Sequence, residues 1–486
     1  MNTVQRIIKN TVALFAAQFV VAILSLVLSV LIARTLGDVE FGKYSFVLAF
    51  TAIFAVFSEL GYNTLLIREV ARDKSQAGKY LNNILIMRVL LSFVIFALIT
   101  ITINLMDYPA DTKNIVYLLG IYALIISISA VFKAIFRAFE KMEYEAAITI
   151  FTNIMRVSSG ILVLFLGYGL LGLALVFIFS GVFDILISFL ICGKRFVKPK
   201  IEVDFDFWKS TIKIALPLSM LSIFGLIYVR IDTVMLSMME GDAVVGWYNA
   251  SYNLVLGFKP IPSLFLNAIF PLMAGYFVYS MGSLKIAYEK ASKFLLIIGL
   301  PLAVGITLLA DRFILILYGV QFYPSIIVLQ ILAWDILLIF LYGPLGNVLV
   351  SINKQNQMAA VAGMSALLNV ILNLILIPPL SYVGAAIATI ITEITLFAVY
   401  FYLVSKYLHT FFLHKLIAKP LIACLVMGLF IYFYTTMNLP LIIILSIIIY
   451  FVVFYLIGGF SKDDIDLICQ VSKMSKVGVN KINERE

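Results

Sequence analysis

Apolar residues in this chain fall into long unbroken runs, with neither the alternation of a half-buried strand nor the one-sided stripe of a soluble helix. A helix crossing a bilayer needs about 20 apolar residues at about 1.5 Å each. Fourteen stretches reach that length: residues 11–33, 44–67, 84–106, 115–136, 146–167, 170–192, 214–238, 248–275, 294–317, 325–350, 358–379, 382–404, 416–436 and 440–459. The pattern predicts an all-α polytopic membrane protein. The first run exceeds the roughly 7–15 residue core of a signal peptide and no small-residue cleavage site follows it, so it is expected to remain as a helix.

Charge then orients the bundle. Counting residues at helix ends with the connection they adjoin, 28 of the 35 Lys and Arg residues fall on the side of the N-terminus and four (Arg34, Lys43, Lys113 and Arg312) on the other. The remaining three, Arg156, Arg230 and Lys259, lie inside spans. A missed or invented helix would collapse this alternation, so the count supports fourteen spans. Basic loops stay inside, which predicts a cell-membrane protein with both termini cytoplasmic. The formal charge of +9 is therefore read as a topology signal and not as a nucleic-acid footprint.

Composition narrows the chemistry. The chain is 63% hydrophobic and 13% charged, against roughly 45–50% and about 25% in soluble domains. Its three cysteines (Cys192, Cys424, Cys469) lie far apart, and its two histidines, His409 and His414, share one connection. Neither a zinc site nor a disulfide framework is expected, and no cofactor is. The outer connections are about ten residues or fewer by these spans, too short for a catalytic domain. No Ser/His/Asp, Walker or GxGxxG pattern appears. Transport, and not enzyme catalysis, is the default.

The chain also repeats itself. "LGDVEFGKY" follows the first span and "EGDAVVGWY" the seventh, so that Gly37, Asp38, Gly42 and Tyr44 match Gly241, Asp242, Gly246 and Tyr248. A second correspondence opens spans six and twelve, "YGLLGLALVFIF" from Tyr168 and "YVGAAIATIITE" from Tyr382, in which Gly172 pairs with Gly384. Six helices separate the copies, so the halves share one orientation, as in parallel-repeat transporters. The expected domains are an N-lobe, 1–200, and a C-lobe, 201–410. Two unmatched helices (411–460) and a cytoplasmic tail (461–486) complete the chain.

"LIARTLGDVEFGKYSF", "YVRIDTVMLSMMEGDAVVGWYNASYNLV", "NAIFPLMAG", "LYGVQFYPS" and "LNVILNLILIPPLSYVGAAIAT" together resemble the Wzx-type polysaccharide flippases of the multidrug/oligosaccharidyl-lipid/polysaccharide (MOP) superfamily. The likeness runs in register over roughly residues 1–410. It implies two six-helix lobes around a central cavity, alternating access, and a lipid-linked glycan carrying pyrophosphate as cargo. It also implies that the last two helices line a groove for the lipid tail. Peptidoglycan-precursor flippases carry Asp-Ala-Phe in the second helix, where this chain reads "KYSFVLAF". That departure argues against such a precursor as cargo.

A pyrophosphate crossing the bilayer needs a cationic, water-filled corridor, because an isolated ion in a low-dielectric medium costs tens of kcal/mol on the Born scale. The candidates for contact with it are Arg34, Arg88, Arg156, Arg230 and Lys259, with Asp232, Asn249 and Asn253 as polar partners of the cargo. Glu59, Asp184 and Glu393 are the candidate ion-coupling acids, and Asp335 is a further embedded one. Facing lipid at the bilayer centre, each charge would cost roughly 2.5–3.5 kcal/mol, so most are expected to face the interior. Each also has a plainer reading. Arg88 and Glu59 lie near span ends, where a long side chain can reach the headgroups. Asp184, Glu393 and the asparagines are equally suited to hydrogen bonds between helices. Arg230 and Asp232, two residues apart, are about 200° apart around a helix and cannot both face one cleft. "GFKPIPSLF" predicts a break in the eighth span at Lys259.

The expected function is translocation of a polyprenyl-pyrophosphate-linked oligosaccharide from the inner to the outer leaflet for polysaccharide or glycoprotein assembly. H+ or Na+ is the candidate coupling ion, and cytoplasmic glycosyltransferases are candidate partners for the basic stretch Lys194–Lys200. An ion-coupled small-molecule antiporter of the same superfamily is the alternative. A membrane-embedded transferase fits less well, for lack of a large outer loop.

Overall fold

The computed structural model describes residues 3–408 and 413–460. His409, Cys469 and the expected tail, 461–486, lie outside these described residues. In chain order the helices are α1 (Thr3–Glu59), α2 (Tyr62–Arg72), α3 (Ala77–Leu105), α4 (Ala110–Ala138), α5 (Met142–Phe165), α6 (Gly169–Arg195), α7 (Phe205–Met239), α8 (Asp242–Leu256), α9 (Pro260–Tyr279), α10 (Met281–Leu308), α11 (Ala310–Leu317), α12 (Ser325–Ser351), α13 (Gln355–Leu408), α14 (Leu413–Phe433) and α15 (Leu439–Leu456). Twelve stretches are long and apolar enough to cross a membrane. Two of them are double passes, α1 bent at Gly37 and α13 bent at Ser381, so the described residues make fourteen crossings. Each corresponds to one predicted span, and the eighth is broken as expected, α8 ending at Leu256 and α9 beginning at Pro260.

The glycines of the repeat have structural duties. Gly37 (φ 83°, ψ −177°) and Gly241 (φ 92°, ψ 179°) share one conformation, in a region of the map that is essentially glycine's alone. Gly319 adopts it as well. Just beyond these turns the two copies meet. A Cβ on Gly42 would overlap the carbonyl oxygen of Asp242, and a Cβ on Gly246 would overlap that of Asp38. The contact is reciprocal, as a pseudo-two-fold relation between repeats requires.

Apolar burial distinguishes the two ends of the bundle. At the face carrying these turns, the kink face, one continuous core joins Ile32, Phe41 and Phe46 of α1 with Leu236, Tyr248, Phe322 and Leu332 from the second half of the chain. At the opposite, basic face there are two cores. One holds Leu66, Leu81, Phe132 and Phe136 with Phe207 and Ala215 from the start of α7; the other holds Met273, Tyr288, Leu349 and Tyr400. The halves thus share one continuous core at the kink face, whereas at the basic face each has its own core and the start of α7 packs against that of the first half. Helices α14 and α15 pack on each other and on α10, sharing a separate core around Ile297, Cys424 and Tyr450.

The connection between the halves is itself anchored. Asn82 and Asn83 on α3 are buried, and their side-chain oxygens accept from the backbone N–H groups of Lys200 (2.9 Å) and Asp204 (2.7 Å). Asp204 in turn caps α7 by accepting from Phe207 N–H, which holds its carboxyl below the usual carboxylate range.

Candidate functional site

Arg156 on α5 is flanked by aromatic side chains. Its guanidinium carbon lies 5.0 Å from the centre of the Phe177 ring and 5.9 Å from that of Tyr122, within cation–π range. The guanidinium donates to the Tyr122 hydroxyl and to the Asn153 side-chain oxygen, while its Nε is buried without a hydrogen-bond partner. Tyr44 completes the box, edge-on to Phe177 at 6.2 Å. From the other half, Arg230 on α7 also lies within electrostatic reach of Tyr44, and its Nε too is buried and without a hydrogen-bond partner. Two arginines, one from each half, therefore lie within electrostatic reach of one tyrosine, each with a buried Nε that has no hydrogen-bond partner.

Asp232 points elsewhere, as the helical spacing requires. Its buried carboxylate accepts from Asn373 (2.5 Å), Tyr248 (2.8 Å) and Thr389 (2.8 Å), which ties α7 to α8 and to both arms of α13. Asn249 accepts from Thr233 at 3.2 Å, next along α7. Asn253 reaches across to Ser29 of the first half at 3.4 Å, near the limit of a hydrogen bond. One turn from Asp232, Tyr228 donates to Glu393 at 2.9 Å. The other oxygen of Glu393 and Oδ1 of Asp335 are buried without hydrogen-bond partners, with Lys259 within electrostatic reach of both acids. The break after α8 thus brings Lys259 within electrostatic reach of two embedded carboxylates.

The remaining candidates stand apart from this centre. Arg88 is only 2% exposed and donates to Ser127 and Asn63, both at 2.9 Å; it does not reach toward the headgroups, because its charge is satisfied inside the first half. Glu59 lines a cavity of about 20 Å³ with Thr64, Ser219 and Ser222 at the basic face, room for a single water. Asp184 accepts from Ser129, Thr152 (3.0 Å) and the Lys133 ammonium (2.8 Å). Arg34 sits at the kink face, bound to backbone carbonyls of Ile316 and Leu317.

Several participants are not marked out by the chain alone. Lys133, near the end of its span, reads from the chain as a helix-end charge, although its place one turn after Ser129 within an apolar run is a signal that it turns inward. Tyr122, Phe177 and Thr389 carried no signal, since an aromatic or a threonine in a membrane helix is ordinary.

Residues 7–277, more than half of the chain, match the model of a family described as polysaccharide biosynthesis protein. The chain belongs to that family. The capsular polysaccharide biosynthesis protein CapF of Staphylococcus aureus is 23% identical over 426 residues, covering 82% of this chain and 99% of that protein. Among solved structures, the lipid II flippase MurJ in an inward closed conformation superposes with a TM-score of 0.75 at 18% identity, over 92% of this chain and 98% of that one. An inward-facing multidrug resistance MATE transporter of the MOP superfamily superposes at 0.65 with 16% identity, over 79% and 95%. This member of the polysaccharide biosynthesis family therefore has the fold of MOP-superfamily transporters.

Proposed function

We propose that the chain is a flippase that carries a polyprenyl-pyrophosphate-linked oligosaccharide from the inner to the outer leaflet for surface polysaccharide assembly. Its family supports the glycan class, and the convergence of Arg156 and Arg230 from opposite halves supports the anionic head. A guanidinium offers paired donors to phosphate oxygens, and each of these two keeps an unused one. The aromatic box holds Arg156 in place and also suits sugar rings. In this reading residues 1–200 and 201–410 are lobes that part first at the basic, cytoplasmic face and then at the kink, outer face. The last two helices guide the lipid tail.

Driving force is available without a nucleotide. With the cytosol negative, two outward-moving negative charges gain about 4.6 kcal/mol per 100 mV. Resetting the empty carrier with its arginines still charged calls for a compensating ion. Asp232 and Glu393 are the sites we assign to H+ or Na+, with Glu59 a secondary candidate. The Asp232 cluster also favours a second reading, an ion-driven antiporter of small molecules on the same fold.

The test is leaflet exchange of a fluorescent polyprenyl-pyrophosphate oligosaccharide in proteoliposomes. Wild type is expected to exchange it, and Arg156→Gln with Arg230→Gln to lose most exchange while remaining folded. Wild type that leaves the lipid in place yet expels organic cations down an ion gradient would replace the flippase by the antiporter.

A further inference from the structure

We propose that Arg34 is the latch of a gate at the kink face: from the end of the first pass it caps the C-terminus of α11 in the opposite half, and it lets go when that face opens. This rests on the reading that the two halves separate in turn at the two faces. The geometry is specific. Arg34 Nε donates to the carbonyl of Leu317 at 2.7 Å, and a terminal guanidinium nitrogen donates to that of Ile316. These carbonyls belong to the last turn of α11, where helical backbone lacks its own donors and where the negative end of the helix dipole favours a cation. The Ile314 carbonyl is already taken by the N–H groups of Tyr318 and Gly319, so Arg34 serves the ones left over.

Around this cap the halves meet through contacts of two kinds. Phe41 packs on Tyr318 at 6.1 Å and on Phe322 at 5.8 Å, and the Gly42 and Gly246 backbones abut, giving a dry centre. Outside it lie polar links that water can replace: Trp247 Nε1 donates to Asp38 at 2.9 Å, and Arg34 is itself exposed. A seam that had to stay shut would gain more from apolar burial throughout. Exposed, charge-assisted bonds to backbone are instead made and released without leaving a buried group unsatisfied. Arg34, which crosses from the first half to the second, is thus held by bonds whose release leaves no buried group unsatisfied.

The test reads conformation and not cargo. Spin labels at Tyr168 and Val320, exposed on the kink face in the first and second halves, are introduced in a cysteine-free background of the full chain in nanodiscs, and their distance distribution is measured. Wild type is expected to give a dominant short distance. Arg34→Gln should raise the ratio of a longer-distance population to the short one about tenfold, the worth of one charge-assisted bond. Arg34→Lys should fall between the two, since it keeps the charge but loses the fork. Trp247→Phe should act in the same direction more weakly, and carries the test should Arg34→Gln fail to fold. An unchanged distribution in folded Arg34→Gln overturns the latch while leaving the cargo assignment untouched. Loss of glycan exchange in wild type would do the reverse.

Discussion

Asp184 in the first half and Asp232, Asp335 and Glu393 in the second are all buried carboxylates on core helices, yet their surroundings differ. Asp184 has a lysine in contact and two hydroxyls donating to it, so its charge is matched and its oxygens are occupied. In the second half Asp335 and Glu393 share the reach of a single ammonium, Lys259, and one oxygen of each has no hydrogen bond, while Asp232 is held only by hydrogen bonds from neutral side chains. A buried charge must be paired, hydrogen-bonded or neutralised. The first half therefore holds a completed fixture and the second an incomplete one, which is why coupling is assigned to the second half.

The largest effect that would test this contrast is structural. Lys133→Met leaves Asp184 as an unpaired buried charge and is expected to cost about 3–5 kcal/mol, with Lys133→Met/Asp184→Leu recovering most of it. Thermal unfolding in detergent measures both, and a well-tolerated Lys133→Met would end the comparison. Next comes Asp232→Asn, which keeps the shape but not the charge. Glycan exchange is expected to fall about tenfold or more, equivalent to roughly 1.4 kcal/mol, and to lose its response to an imposed Na+ or pH gradient. A gradient response that survives in both Asp232→Asn and Glu393→Gln would move coupling out of the second half. Thr389→Val removes one of the three donors to Asp232 and should cost about 0.5–1.5 kcal/mol in stability. Smallest is Glu393→Gln, which discards a charge that nothing in contact matches. Its unfolding is expected to stay within about 0.5 kcal/mol of wild type, whereas a larger destabilisation would mean that Glu393 is as completely paired as Asp184.

The same contrast marks how far the chain could be read in advance. Lys259 beside Pro260 and Pro262 announced a broken helix with an embedded cation, and α8 and α9 meet there. The opposite facing of Arg230 and Asp232 followed from helical geometry. Nothing in the linear order said that Lys133 would meet Asp184, 51 residues away, or that Tyr248 and Thr389 would converge on one carboxylate. Nor does the order of the chain show that Arg34 lies against backbone carbonyls 282 and 283 residues away.

Hydrophobic run length, basic-loop alternation and the glycines of the repeat are properties of the chain taken in order, and they determined the fourteen crossings, their sense relative to one another and the kinship of the halves. These follow because a bilayer tests each segment on its own for length and polarity. Which charges pair, which keep free donors and which face is closed depended on the tertiary structure. Those outcomes are differences of a few kcal/mol between alternative partners brought together from distant parts of the chain, and only the packed arrangement of the helices selects among them.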